Sequence, residues 1–143
     1  MKAIETRPYI AKRILAGFID YAVIIILFFI YLYNFNEPNA EGKTFLNEVS
    51  AVVFVILWGI ITVGLEIGLG ATLGNDLVGL KAIPESGELR KLNFNESFKR
   101  HVLDPIDMFF LGLIGVLLIL KTDKNKRLGD IWAKTIVISN ENV

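Results

Sequence analysis

The chain has 143 residues, 53% of them hydrophobic, with no cysteine and equal numbers of basic and acidic side chains. Mean hydropathy is +0.52, the profile of a small integral membrane protein organised as one domain over residues 1–143. Disulfides, thiolate metal sites and cysteine nucleophiles are excluded, and zero net charge gives no basis for a nucleic-acid interface.

The charges are sorted along the chain. Lys and Arg lie outside the apolar runs, whereas Asp20, Glu66, Asp104 and Asp107 lie in or against them. The amino-terminal arm carries Lys2, Arg7, Lys12 and Arg13 against Glu5. It leads into a predicted span over about residues 10–33, closed by the interfacial aromatics Tyr31 and Tyr33. Asn34-Phe-Asn-Glu-Pro-Asn39 follows rather than a small-residue cleavage site, so the segment reads as a retained span and not as a signal peptide. The loop from Asn34 to Glu48 holds Lys43 against Glu37, Glu41 and Glu48. By positive-inside counting the amino terminus is cytoplasmic, this loop is outside, and the protein belongs in the cytoplasmic (inner) membrane.

A second span is predicted over about residues 49–70, with Glu66 near its end. It returns the chain to a cytoplasmic segment over residues 71–100. There Leu80–Ile83, Pro-Glu-Ser-Gly and Glu88–Leu92 have the pattern of a short hairpin. Asn93 or Asn95, followed by Glu96, marks a helix start.

The third apolar run, about residues 101–120, contains Asp104, Pro105 and Asp107, and its tail carries Lys121, Lys124, Lys126, Arg127 and Lys134. If the run spans, this basic tail lies outside, against the charge rule. If it re-enters, with Gly112 and Gly115 at the turn, the tail is cytoplasmic, and the charge rule favours this arrangement. Thr135–Ser139 reads as a strand that can meet Leu80–Ile83 only from the same side. The expected fold class is therefore an all-α membrane protein of two to three transmembrane helices, the third spanning or re-entrant, with a small cytoplasmic β-element.

One pattern occurs twice. Lys12-Arg13 and Asp20, and Lys99-Arg100 and Asp107, both follow Lys-Arg-x5-Ile-Asp at the mouth of an apolar segment. The Arg-to-Asp interval is close to two helical turns, so both groups share a face and the acid lies roughly 10 Å deeper. A carboxylate in hydrocarbon costs about 2.5–3.5 kcal/mol on insertion scales, so it needs a partner or a task. Arg13 with Asp20 fits an ion-coupling site for a proton or Na⁺, or an intramembrane salt bridge that fixes packing; Arg100 is an alternative partner for Asp20. Asp104 and Asp107 lie one turn apart and with Glu66 could form an acidic pocket for a cation. The plainer readings make Asp104 a wet helix cap beside Pro105 and Glu66 a partner of Lys12 or Arg13. Lys124-Asn-Lys-Arg127 suits lipid headgroups. The glycines from Gly68 to Gly79 lack the terminal Gly-Lys-Ser/Thr of a phosphate loop. His101, the single histidine, cannot build a histidine zinc site alone.

Four ordered motifs resemble the RDD family of small membrane proteins: Ala11-Lys-Arg-Ile-Leu-Ala-Gly-Phe-Ile-Asp20, Gly70-Ala-Thr-Leu-Gly74 with Gly79-Leu-Lys-Ala-Ile83, Arg100 with Ile106-Asp107, and Arg127-Leu-Gly-Asp130 with Lys134-Thr-Ile-Val-Ile138. The resemblance covers nearly the whole chain. It implies that Arg13 and Asp20 are the first of the family's named residues and that the second aspartate is Asp107 or Asp130. Asn75-Asp76 stands where the family's connection usually continues with Lys, and Gly129 where it often has His. Roles suggested for the family include transport, sodium–proton exchange and membership of membrane assemblies.

The expected function is that of a transporter or ion-exchange subunit, without enzymatic activity or cofactor, handling a monovalent cation or proton. The alternative is a non-transporting subunit that stabilises or recruits a partner complex. Three helices do not readily enclose a solvated path, so a homo-oligomer or a larger membrane partner is expected beside the lipid bilayer.

Overall fold

A computed structural model describes residues 6–35 and 47–142, with side chains at 109–111 and 142 left aside. Most of the loop expected outside, residues 36–46, lies beyond the described residues. Helix α1 runs Ile10–Phe35. Only Ala16, Asp20 and Ile24 are buried on it, a stripe at four-residue spacing, while Phe18, Ile26, Phe29 and Ile30 are exposed. That distribution suits hydrocarbon around most of the helix and one protein-facing seam.

The second long helix extends Glu48–Leu69. It comprises α2 (Glu48–Gly59), a π-helical turn at Ile60–Gly64 and α3 (Leu65–Leu69). Asn47 and Ser50 form a capping box at its start, and Gly70 ends it at a φ of 99°. The π turn buries Thr62 and Val63, and just beyond it α3 buries Glu66. These two helices are long and apolar enough to cross a membrane.

The chain then forms α4 (Leu73–Leu77) and β1 (Leu80–Pro84). β1 does not fold back on residues 88–92. It pairs antiparallel with β2 (Thr135–Ser139), from Leu80↔Ser139 to Pro84↔Thr135. β2 offers five wholly buried positions, whereas in 88–92 Arg90 turns outward to Glu88 and Glu96 and only Leu92 is buried. Leu80, Ala82, Leu92 and Val137 pack on one face of the ribbon, and Ile83, Ile136 and Ile138 on the other.

The third apolar run differs from a simple span over 101–120. α5 (Phe94–Val102) starts earlier, at an Asn93–Glu96 capping box. α6 (Asp104–Asp107) carries Pro105 in its first turn, α7 covers Phe109–Lys121, and α8 covers Leu128–Ala133. Between Phe94–Asp107 and Gly112–Lys121 the axis turns by 115°, with Gly112 at a φ of 85°. Glycine adopts that left-handed conformation without Cβ strain. Because β1 and β2 share one ribbon, both ends of this run lie on the same side of any bilayer crossed by α1 and the second helix. Arg13, at the start of α1, donates to the carbonyl of Asn125 and so joins that side. A bend of this size belongs to a broken span or a re-entrant loop, and the shared ribbon matches the second.

Single cysteines at Ser86 and Asn140 are expected to react with an impermeant reagent from the same side, and one at Asn47 from the other. Opposite labelling of Ser86 and Asn140 in intact membranes would exclude the paired ribbon.

Candidate functional site

The acids and arginines of α1, α3, α5, α6 and α8 meet beside one cavity of about 430 Å³. Asp130 in α8 is fully buried and receives both arginines of the repeated motif. Arg13 Nη1 donates to Oδ2 at 3.0 Å, and Arg100 Nη1 donates to Oδ1. Arg100 also reaches Glu66, with Nη2 to Oε1 at 3.2 Å, and Ser97 Oγ donates to Glu66 Oε2 at 2.7 Å. His101 lies between Glu66 and Asp104, its Nε2 at 3.2 Å from the first and its Nδ1 at 2.9 Å from the second. Arg127 Nη1 sits 2.7 Å from Asp104 Oδ1, and Tyr21 donates to Asp104 Oδ2 at 3.2 Å.

Each contact has a local origin. Arg100 and His101 occupy the last turn of α5, where cations are favourable against the helix dipole. Asp130 is at the third position of α8 and accepts the backbone N–H of Arg127, closing that helix start. Burial alone would push the Asp130 carboxyl upward; the guanidiniums of Arg100, Arg13 and Arg127 reverse this and hold it below the usual carboxylate range.

Asp20 and Asp107 do something different. Asp20 Oδ1 accepts the backbone N–H of Gly74 at 2.6 Å, with the Thr72 hydroxyl close to the same carboxylate. Asp107 accepts the N–H groups of Leu128 and Gly129, both at 3.0 Å. Each intramembrane acid thus satisfies the free donors at the start of a short helix. Glycine is required for the approach: a Cβ on Gly74 would lie 2.0 Å from the Ala16 carbonyl oxygen, and one on Gly129 2.2 Å from that of Arg100.

The expected pairings are thereby redistributed. Among the described residues no ion pair joins Arg13 or Arg100 to Asp20. Glu66 takes Arg100 and His101 rather than Lys12 or Arg13, and Asp104 is buried rather than wet. Tyr21, Ser97, His101 and Arg127 join the site without having been singled out as members. Arg127 is the instructive omission: it opens the motif Arg127-Leu-Gly-Asp130, but as the last residue of the basic run Lys124-Asn-Lys-Arg127 it reads by charge alone as a headgroup contact.

The model of the RDD family matches residues 7–134, which contain every one of these groups. The chain belongs to the RDD family. No curated protein and no solved structure matches it. In this RDD protein the family match and the apolar helices together make an integral membrane protein.

Asp130→Asn should strand Arg13 and Arg100 as buried, unpaired cations, a loss of about 3–5 kcal/mol. Because the folded carboxyl titrates lower than the unfolded one, its contribution is present above the unfolded pKa and lost as pH falls through the folded value. Thermal melts of purified wild type and variant should therefore differ widely at neutral pH and converge on acidification. A gap that stays constant with pH would remove Asp130 from the charged network.

Proposed function

We propose that this RDD protein is a cation- or proton-exchanging membrane subunit, non-enzymatic, acting as a homo-oligomer or beside a larger membrane partner. The observation that supports this is the balance of buried charge. Asp20, Glu66, Asp104, Asp107 and Asp130 face Arg13, Arg100, Arg127 and His101, and all nine are buried or lie against the cavity. Even with the imidazole protonated, the carboxylates exceed the cations by one. A bare carboxylate is too costly in a low-dielectric interior, so the excess calls for a proton or an exchangeable cation.

Asp20 is the acid best suited to hold it. It lines the cavity, and its carboxylate is met by the neutral Gly74 N–H, with the Thr72 hydroxyl nearby. Among the described residues it has no cationic side chain within ion-pair reach. The positive-inside rule assigns the basic amino-terminal arm, the 71–93 connection and the tail to the cytoplasm. In this reading Arg13, Arg100 and Asp130 hold the segments together while Asp20 titrates or exchanges.

A second reading keeps the same contacts without turnover. The closure of Arg13 and Arg100 on one buried Asp130 suits a static subunit that presents a rigid face to a partner.

Purified protein reconstituted into vesicles with an entrapped pH dye separates them. Imposed Na⁺ or K⁺ gradients should drive a dye response, and Asp20→Asn should abolish it while keeping a folded protein in the bilayer. Vesicles that show no cation-dependent response for wild type would favour the static subunit.

A further inference from the structure

The chain contains an internal two-fold repeat that extends well beyond Lys-Arg-x5-Ile-Asp. In each half an aspartate accepts the backbone N–H of the glycine in a short helix beginning Leu-Gly: Gly74 of Leu73-Gly74 in α4, and Gly129, with Leu128, in α8. In each half the short helix ends at a left-handed residue, Gly79 at a φ of 72° and Lys134 at 54°, and a five-residue strand follows. Aligning Leu73-Gly74 on Leu128-Gly129 puts Thr72 on Arg127, Asn75 on Asp130, Gly79 on Lys134 and Ala82 on Val137. Ala82 and Val137 are also the central partners of the ribbon. Leu80↔Ser139 and Pro84↔Thr135 are then the same pair viewed from either half. A pseudo-two-fold axis passes through that central pair. The repeat is imperfect where Pro105 breaks the second motif helix: Gly74 abuts Ala16, one turn before its aspartate, but Gly129 abuts Arg100, two turns before its own.

The two halves therefore serve as an internal comparison for the cavity between them. Beside Asp107 the second half places a guanidinium: Arg127 leads α8, with Nε at 3.9 Å from the carboxylate and Nη1 on Asp104. The corresponding position in the first half is Thr72, and the position of Asp130 is taken by the neutral Asn75. Asp20 accepts a backbone N–H at the matching glycine, as Asp107 does, but has no guanidinium beside it among the described residues, and it faces the cavity that Asn75 also lines.

We infer that the cavity beside Asp20 receives a small organic cation with a guanidinium or ammonium head, seated where the second repeat carries the head of Arg127. The inference rests on the cation reading above and narrows its substrate class. The cavity wall supports the narrowing. About 430 Å³ is room for on the order of ten waters at roughly 30 Å³ each, far more than a bare ion needs. Phe18, Met108, Val116 and Ile119 line part of it with carbon that packs well on an alkyl body, beside the oxygens of Asp20 and Asp107. Tyr21 and Asp104 lie in the same wall.

The test uses the full chain in lipid nanodiscs and reads Tm against n-butylguanidinium, its neutral isostere n-butylurea, NaCl and LiCl at constant ionic strength. Butylguanidinium should raise Tm saturably and butylurea should not. Asp20→Asn should weaken the apparent affinity about ten- to a hundredfold, as expected for loss of a charge-assisted hydrogen bond. Thr72→Arg should raise Tm without ligand and abolish the butylguanidinium response, because the tethered guanidinium occupies the seat. Should Thr72→Arg not fold, Asn75→Lys supplies a cation from the same wall and should have the same effect. Stabilisation by NaCl or LiCl but not by butylguanidinium would overturn the organic-cation assignment and leave cation exchange standing. No response to any cation, together with an unchanged butylurea-like profile in Thr72→Arg or Asn75→Lys, would overturn the seat itself. Vesicle flux persisting in that case would put the exchanging acid elsewhere.

Discussion

The structure depends on one buried carboxylate. Asp130 is completely enclosed and accepts Arg13 from the first span, Arg100 from the third segment and the backbone of its own helix start. Two guanidiniums and an acid in a dry interior stabilise one another only while all remain in register, since removing any one exposes the full desolvation cost of the rest. Glu66, held by Arg100 and Ser97, ties the second long helix into the same network. Four chain segments far apart in sequence thus converge on one small region at the membrane edge.

Around this centre the two intramembrane aspartates solve a different physical problem. Short helices such as α4 and α8 cannot satisfy their first N–H groups internally, and at the membrane boundary water is not a dependable substitute. Asp20 and Asp107 reach those donors from neighbouring helices, which fastens each short helix flat against the apolar segment beneath it. The close glycine approaches at Gly74 and Gly129 make the contact geometrically possible. The strands that follow are delivered to one another and pair antiparallel.

The same construction accounts for the cavity. Because the halves repeat one another but differ at their capping residues, one aspartate is neighboured by Arg127 and the other by Thr72. The cavity lies where the two halves meet, lined by acids and by Arg13, Arg100, His101 and Arg127 alike. Ligand sites at the junction of internal repeats are a recurrent outcome of this kind of architecture.

Much of this was legible in one dimension. Apolar run length gives both long helices to within two residues at each end, because hydrocarbon thickness sets a length that composition must match. The Asn93–Glu96 cap and the strand at Thr135–Ser139 follow from local chemistry. The cost of burying charge points to Arg13, Asp20, Glu66, Arg100, Asp104 and Asp107 as groups in need of partners, and the Arg-Leu-Gly-Asp motif adds Asp130. Which partner each would find was decided only in three dimensions. Sequence spacing describes one helix face, whereas Arg13 meets Asp130 and Asp20 meets Gly74 across contacts far apart along the chain. The sharp bend of the third segment and the Leu80–Pro84 partner of β2 belong to the same class. A strand's open edge accepts any compatible neighbour, and only the packed fold brings one residue run rather than another within hydrogen-bonding distance.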